Sequence, residues 1–216
     1  MVKRGKKRVQ WLKSKITDGP AITFREASSE YLMSFSIGTP AQSPVTAIMD
    51  TGSDLIWTQC KLCHPCINQS TPTFDPKKSH SYSKLKCPTN LCQALSPRLS
   101  ICDDKNYCNY RYRYGDNSST RGALATETFT FGGKVFPLIG FGCGLANLGN
   151  FNNCSGIVGL GRGALSLISQ LNQPKFSYCL PTFGSGETGT LVVGCGATNP
   201  PGQLIIDFIM ACQVSR

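Results

Sequence analysis

Ile48-Met49-Asp50-Thr51-Gly52-Ser53-Asp54-Leu55-Ile56-Trp57 decides how this chain is read. An apolar run ends on a carboxylate, small residues turn the chain at once, and a second apolar run begins at Leu55. A strand that closes in this way leaves the amides of Thr51 and Gly52 free to hydrogen-bond the Asp50 carboxylate. A carboxylate so placed holds a defined protonation state and can activate water as a general base. A structural aspartate that only satisfies turn amides fits the same ten residues, so the decision rests on what surrounds them.

Outward from that turn the texture is one of short strands. Tyr31, Met33, Phe35 and Ile37 alternate with Leu32, Ser34 and Ser36, which predicts a strand. Gly38-Thr39-Pro40 is turn chemistry, and Val45 to Met49 reads as a second, apolar strand. Further on, Tyr110, Tyr112 and Tyr114 alternate, Gly115 to Ser119 turns, and Leu124 to Phe131 returns, which predicts a hairpin. Gly132-Gly133 offers another tight turn before Val135 and Phe136. Leu138 to Phe141, Ile157-Val158 and Leu191 to Val193 are brief apolar runs. One stretch looks helical: Leu165, Ile168 and Leu171 at three-residue spacing, closed by Pro174. The expected fold class is all-β with few short helices, and no repeat of fixed period is present.

Charge and cysteine narrow the function. Of 216 residues, 22 are Lys or Arg and 12 are Asp or Glu, a formal net charge of +10. Lys3, Arg4, Lys6, Lys7, Arg8, Lys13 and Lys15 account for seven of the bases, before any acid appears. Fifteen bases against twelve acids leave the rest of the chain at +3, too little field to hold a polyanion. Nucleic acid is therefore not the expected partner. Twelve cysteines imply a disulfide framework and an oxidising compartment. Met1 to Ile16 is basic but has no apolar stretch like that of a signal peptide, and nothing approaches the roughly 20 apolar residues of a membrane span. Secretion without a visible signal predicts an incomplete chain. Seven of the cysteines lie between Cys60 and Cys108 amid Ser, Pro and Asn, which reads as a loop-rich insert stapled by sulfur.

These pieces together resemble a known family. Asp50-Thr51-Gly52-Ser53 followed by Trp57 is similar to the first active-site turn of pepsin-type aspartic proteases. Glu30-Tyr31-Leu32 running to Ile37-Gly38-Thr39-Pro40 resembles the mature start of the plant nepenthesin-like branch, and Cys60, Cys63 and Cys66 its cysteine-rich insert. Tyr114-Gly115-Asp116 resembles the flap over the substrate, and Gly156 to Gly163 with Leu165 to Leu171 the segment threaded beneath the active site. The resemblance implies one lobe of the normally bilobal pepsin architecture. Residues 1–29 would be a propeptide-like basic leader, 30–199 the N-terminal lobe with its insert at about 60–108, and 200–216 an aberrant tail. It further implies peptide-bond hydrolysis favoured by acid, with Asp50 catalytic and Thr51, Gly52 and Ser53 orienting it. Tyr114 would be the flap tyrosine with Trp57 as its hydrogen-bond partner, and Gly115 and Asp116 would present donors to a polypeptide substrate. No metal or organic cofactor is implied, and the compartment would be secreted or vacuolar. By the same analogy Cys60 pairs with Cys63, Cys66 with Cys143, Cys87 with Cys108 and Cys92 with Cys102. Cys154, Cys179, Cys195 and Cys212 are left unassigned.

The chain departs from the family in one respect that bears on activity. A second Asp-Ser/Thr-Gly is needed, yet Leu204-Ile205-Ile206-Asp207 runs into Phe208-Ile209-Met210, which cannot copy that turn. A truncated chain is the expectation. Three outcomes follow from it. The chain acts as a protease through a symmetric homodimer, it is a non-catalytic lobe that binds peptides or a full-length protease, or it is a product that hardly folds. Asn117 stands where the flap often carries Gly, and Asn tolerates the left-handed geometry needed there. Competing motifs are weaker. Cys60-x2-Cys63-His64-x-Cys66 has zinc-ligand types without a second ligand pair at finger spacing. Gly159 to Ala164 fits the outline of a dinucleotide loop without the acid that should follow. Arg111-Tyr112-Arg113-Tyr114 could stack bases, but a two-faced hairpin explains it. His64 and His80 both fall in the insert, which leaves no nucleophilic triad.

Overall fold

The computed structural model describes residues 19–27, 29–42, 44–95, 99–173, 175–181 and 184–194. The basic cluster before residue 16, Pro174, Cys195, Asp207, Cys212 and the side chain of Cys179 lie outside what is described.

Twelve strands form one sheet among the described residues. They are β1 (Ala21–Ala27), β2 (Glu30–Ile37), β3 (Val45–Asp50), β4 (Trp57–Gln59), β5 (Ser83–Lys84) and β6 (Ser100–Cys102). They continue as β7 (Cys108–Arg113), β8 (Ser119–Phe131), β9 (Lys134–Leu148), β10 (Gly156–Gly159), β11 (Phe176–Cys179) and β12 (Thr188–Val193). The helices are short: α1 (Asn90–Ala94), capped by Thr89, and α2 (Leu167–Gln170), capped by Ser166. The strand order is β11-β12-β1-β2-β3-β10-β4-β9-β8-β7-β6, and a further β2–β8 pairing joins β2 to β8. That pairing turns the run β2-β3-β10-β4-β9-β8 into a closed ring, which removes its edges and encloses a core. No helix among the described residues is long and apolar enough to cross a membrane.

Side-chain alternation fills the interior. Met33, Phe35 and Ile37 of β2 pack with Phe129, Phe131 and Phe141 in one buried cluster. Phe35 lies 5.3 Å from Phe129 and 5.1 Å from Phe131, ring centroid to ring centroid. The hairpin of β8 and β9 turns through Gly132-Gly133 at φ 53° and 77°, the left-handed pair that a two-residue β-turn requires. A second cluster, with Leu32, Trp57, Tyr110, Leu124 and Phe151, lies toward the cysteine-rich segment and the flap.

Three sequence readings are corrected here. Residues 21–27, within the expected basic leader, form β1, with Ile22 and Phe24 buried and Thr23 and Arg25 exposed. The strand is held from both sides, by β2 and by β12 some 165 residues away, in the register Thr23↔Thr190 and Arg25↔Leu32. The helix expected from Leu165 to Leu171 is shorter, because Ser166 accepts from the Ser169 amide and starts it at Leu167. The disulfides pair differently: Cys60–Cys143, Cys63–Cys66, Cys87–Cys102 and Cys92–Cys108. Cys60 extends β4, which runs parallel to β9 with Thr58 opposite Cys143, and the Cys60 amide donates to Gly144. It is buried beside Cys143, whereas Cys66 lies in the exposed loop, so the two cysteines left over in that loop bond each other. Cys154 is a buried free thiol among the described residues, and burial pushes it up to about 11.

Candidate active site

Asp50 ends β3 at the point where β10 is threaded between β3 and β4. β10 runs parallel to β3 with Gly159 opposite Asp50, and the Leu160 amide donates to the Asp50 carbonyl at 2.8 Å. The loop of residues 51–56 is therefore crossed from below by a strand from another part of the chain. Within the loop, the Gly52 amide donates to Asp50 Oδ1 at 2.8 Å and the Ser53 hydroxyl to Oδ2 at 2.5 Å. Both carboxylate oxygens are thus oriented by their own turn. Thr51 and Gly52 are exposed, while Ser53 is buried.

The residues after Ser53 lock the turn to the threaded segment. Gly161 donates its amide to the Ser53 carbonyl at 2.9 Å, and Gly163 donates to Asp54 Oδ1 at 2.7 Å. A Cβ on Gly163 would overlap the Asp54 carboxylate, which is why the close approach takes glycine there. Asp54 was not singled out in the sequence. Its signal was the alternation Gly159, Gly161, Gly163, a run of residues with no side chain to obstruct a neighbouring loop.

Above the turn stands the hairpin of β7 and β8. Its tip closes through Tyr114 N–H to Ser118 O at 2.9 Å and Asn117 N–H to Tyr114 O at 3.1 Å, with Asn117 at φ 69° as its residue type allows. Trp57 Nε1 donates to the Tyr114 hydroxyl at 2.9 Å. Trp57 is fully buried and meets Phe151 edge to face at 5.2 Å, so the donor is held rigidly. Burial pushes the Tyr114 hydroxyl well above its ordinary range, with the Trp57 bond opposing. As an acceptor from Trp57, that hydroxyl keeps its own proton for another acceptor. Gly115 is exposed at the tip. The Asp116 carboxylate accepts from both the amide and the hydroxyl of Ser118, at 2.9 and 2.7 Å, and these bonds hold it below the usual carboxylate range. Asp116 thereby braces the turn with its own side chain.

Glu30 is the acid that the sequence reading missed. Burial first, then the charges of Asp50 and Asp116, raises its carboxyl above the ordinary value. Its proximity follows from the hairpin of β2 and β3: the register Leu32↔Ile48, carried two residues further, sets Glu30 against Asp50. For metal, the sulfurs of Cys87, Cys92 and Cys108 converge within 4.8 Å, but each is bonded in a disulfide and offers no thiolate.

Comparison with known proteins gives four findings. Residues 31–195 match the family model described as xylanase inhibitor N-terminal. The chain is 50% identical over 196 residues to aspartic proteinase nepenthesin-1 of Nepenthes gracilis, covering 89% of this chain and 44% of that protein. It is 45% identical over 203 residues to nepenthesin-2 of the same plant, covering 93% of this chain and 45% of that protein. The chain thus spans less than half the length of these relatives. In structure it is similar to conglutin gamma, a basic 7S globulin from lupine seeds, with a TM-score of 0.62 at 22% identity, over 83% of this chain and 50% of that one.

Proposed function

This chain belongs to the xylanase inhibitor N-terminal family and corresponds to the N-terminal lobe of the nepenthesin-like branch of pepsin-type aspartic proteases, and from that premise we propose that it supplies half of an aspartic endopeptidase site. Asp50 is its catalytic residue. The observation that carries this reading is the Asp50 carboxylate, oriented through both oxygens by Gly52 and Ser53 beneath a hairpin whose Tyr114 is pinned by Trp57.

The chemistry needs two carboxylates that share one proton, because two adjacent charges cannot both ionise cheaply. The ionised partner takes a proton from a water as that water attacks the peptide carbonyl. The protonated partner donates to the carbonyl oxygen, and a tetrahedral intermediate forms without a covalent enzyme bond. Thr51, Gly52 and Ser53 keep Asp50 in register for either role. Tyr114, Gly115 and the hairpin tip close over an extended peptide, with Tyr114 and Trp57 forming the hydrogen-bonded wall. This lobe carries one Asp-Thr-Gly turn, and the second carboxylate comes from the facing lobe of the two-lobed site. Four disulfides support a secreted or vacuolar site of action.

The test is hydrolysis of denatured globin by the purified chain at about pH 3, between the two apparent ionisations of a paired carboxylate. Cleavage by the wild type that Asp50→Ala abolishes is the expected result, with sedimentation showing a dimer under the same conditions. A folded chain that leaves globin intact at every concentration selects the second reading, a peptide-binding lobe without catalysis.

A further inference from the structure

The hairpin that carries the flap has two unlike faces. Toward Trp57 it presents Tyr112 and Tyr114; on the other face, Arg111 and Arg121 stand directly opposite one another in the β7–β8 register. Both arginines are exposed, and like charges in that relation weaken a ladder. Among the described residues neither guanidinium has a hydrogen-bond or ion-pair partner. Their neighbour on the same strand, Arg113, differs in this respect, since it donates to Asn117 Oδ1 at 2.6 Å.

The pair opens onto a cleft of about 390 Å³. His64, Ile101, Asn109 and Leu145 complete its wall, and no carboxylate lines it among the described residues. His64 is held at the rim by its amide, which donates to the Leu145 carbonyl at 2.7 Å. Asp103 reaches Asn109 Nδ2 at 3.3 Å, but its other oxygen takes the amides of Lys105 and Tyr107 at 3.0 and 2.9 Å, so it is engaged in its own turn. Ile101 and Leu145 remain 50% and 37% exposed beside the two cations. Two unpartnered forks accept carboxylates in the plane of their N–H donors, and two apolar side chains next to them reward a hydrophobic group. A purely ionic ligand, such as phosphate or a uronate polymer, has no use for the apolar wall.

We propose that this cleft binds an acidic peptide segment. Its carboxylates lie on Arg111 and Arg121, and an apolar side chain between those acids packs on Ile101 and Leu145. The site is separate from Asp50 and lies on the opposite face of the hairpin, so peptide binding there stands whether or not the chain catalyses.

The probe is a fluorescein-labelled Asp-Glu-Leu-Asp-Glu peptide, titrated with the full chain at about 0.15 M salt so that distant charges are screened. Saturable one-site binding is expected, weakened by about tenfold or more in Arg111→Gln/Arg121→Gln. Lys84→Gln/Lys105→Gln removes the same charge outside the cleft and should leave the affinity within about twofold, the limit at which screened surface charges matter. Lys84→Gln/Lys105→Gln should melt with the wild type because both lysines are exposed, and Arg111→Gln/Arg121→Gln at the same temperature or slightly above it because a like-charge pair is removed. The proposal is overturned by absence of saturable binding, by equal weakening in the two double variants, or by equal affinity for the amide peptide Asn-Gln-Leu-Asn-Gln. It is likewise overturned if a polygalacturonate fragment binds the cleft and the acidic peptide does not.

Discussion

Two adjoining segments of this chain are held in opposite ways. Asp50 to Asp54 is positioned by amides and one hydroxyl: Gly52 and Ser53 from within, Leu160, Gly161 and Gly163 from the threaded strand and the loop after it. Among its described residues the stretch from Cys60 to Cys108 has one short 3-10 turn (Pro76–Lys78), the short helix α1 and two strands of two or three residues, and it is tied by four disulfides. Where a carboxylate has to be oriented, directional hydrogen bonds over a few residues suffice. Where little apolar surface can be buried, constraint of the unfolded chain replaces the core.

The largest effect that can break this contrast is loss of the Cys60–Cys143 bridge, which closes 83 residues. In the chain-entropy account Cys60→Ala/Cys143→Ala costs about 4.5 kcal/mol, against about 1.5 kcal/mol for Cys63→Ala/Cys66→Ala, whose bridge spans three. Denaturant midpoints of the two double variants check it, and equal losses would show that loop closure is not what the bridges contribute.

On the other side of the comparison, Gly163→Ala drives a methyl into the Asp54 carboxylate. It should cost about 1–3 kcal/mol by overpacking and lower peptide hydrolysis disproportionately, because Asp54 tethers the turn beneath Asp50. A loss of stability with unchanged hydrolysis would show that the threaded loop does not position Asp50. Trp57→Phe removes the donor to Tyr114 and should cost about 1 kcal/mol, read by thermal unfolding, with a weaker apparent affinity for peptide.

The smallest expected effect lies at Glu30. Its folded value is raised above the ordinary 4.5, so its proton is bound more tightly in the folded state than in the unfolded one. The protein is then most favoured below that range, and the contribution is lost as pH rises through the folded value. Glu30→Gln should melt with the wild type in acid and slightly higher near neutrality. Because Glu30 is only partly buried, solvent screening keeps the gain under about 0.5 kcal/mol. A gain that appears only in acid would contradict the stated cause.

Legibility in the sequence followed the range of the interaction. β2, β3 and the β7–β8 hairpin were visible because alternation of side chains is a local property, and Asn117 could be accepted in the flap because a positive φ is a property of one residue. The pairing of Trp57 with Tyr114 came through family resemblance, not through spacing. Glu30 beside Asp50 was within reach, since a hairpin register extended by two residues gives it. β1 was not, because its basic and polar residues hide Ile22 and Phe24 until β12 supplies the other half of the ladder.

By itself, then, the sequence determined that this is an all-β lobe with an acid-terminated strand, a small-residue turn and a sulfur-rich insert, since each of these is written in neighbouring residues. Only the tertiary structure decided that Cys60 bonds Cys143, that Gly163 anchors Asp54, and that Arg111 faces Arg121 over an open cleft. Those partners are separated by 83, 109 and 10 residues, and their meeting depends on strand order and register. Composition and periodicity carry no record of register across a closed sheet, because it is set by how all the strands pack at once.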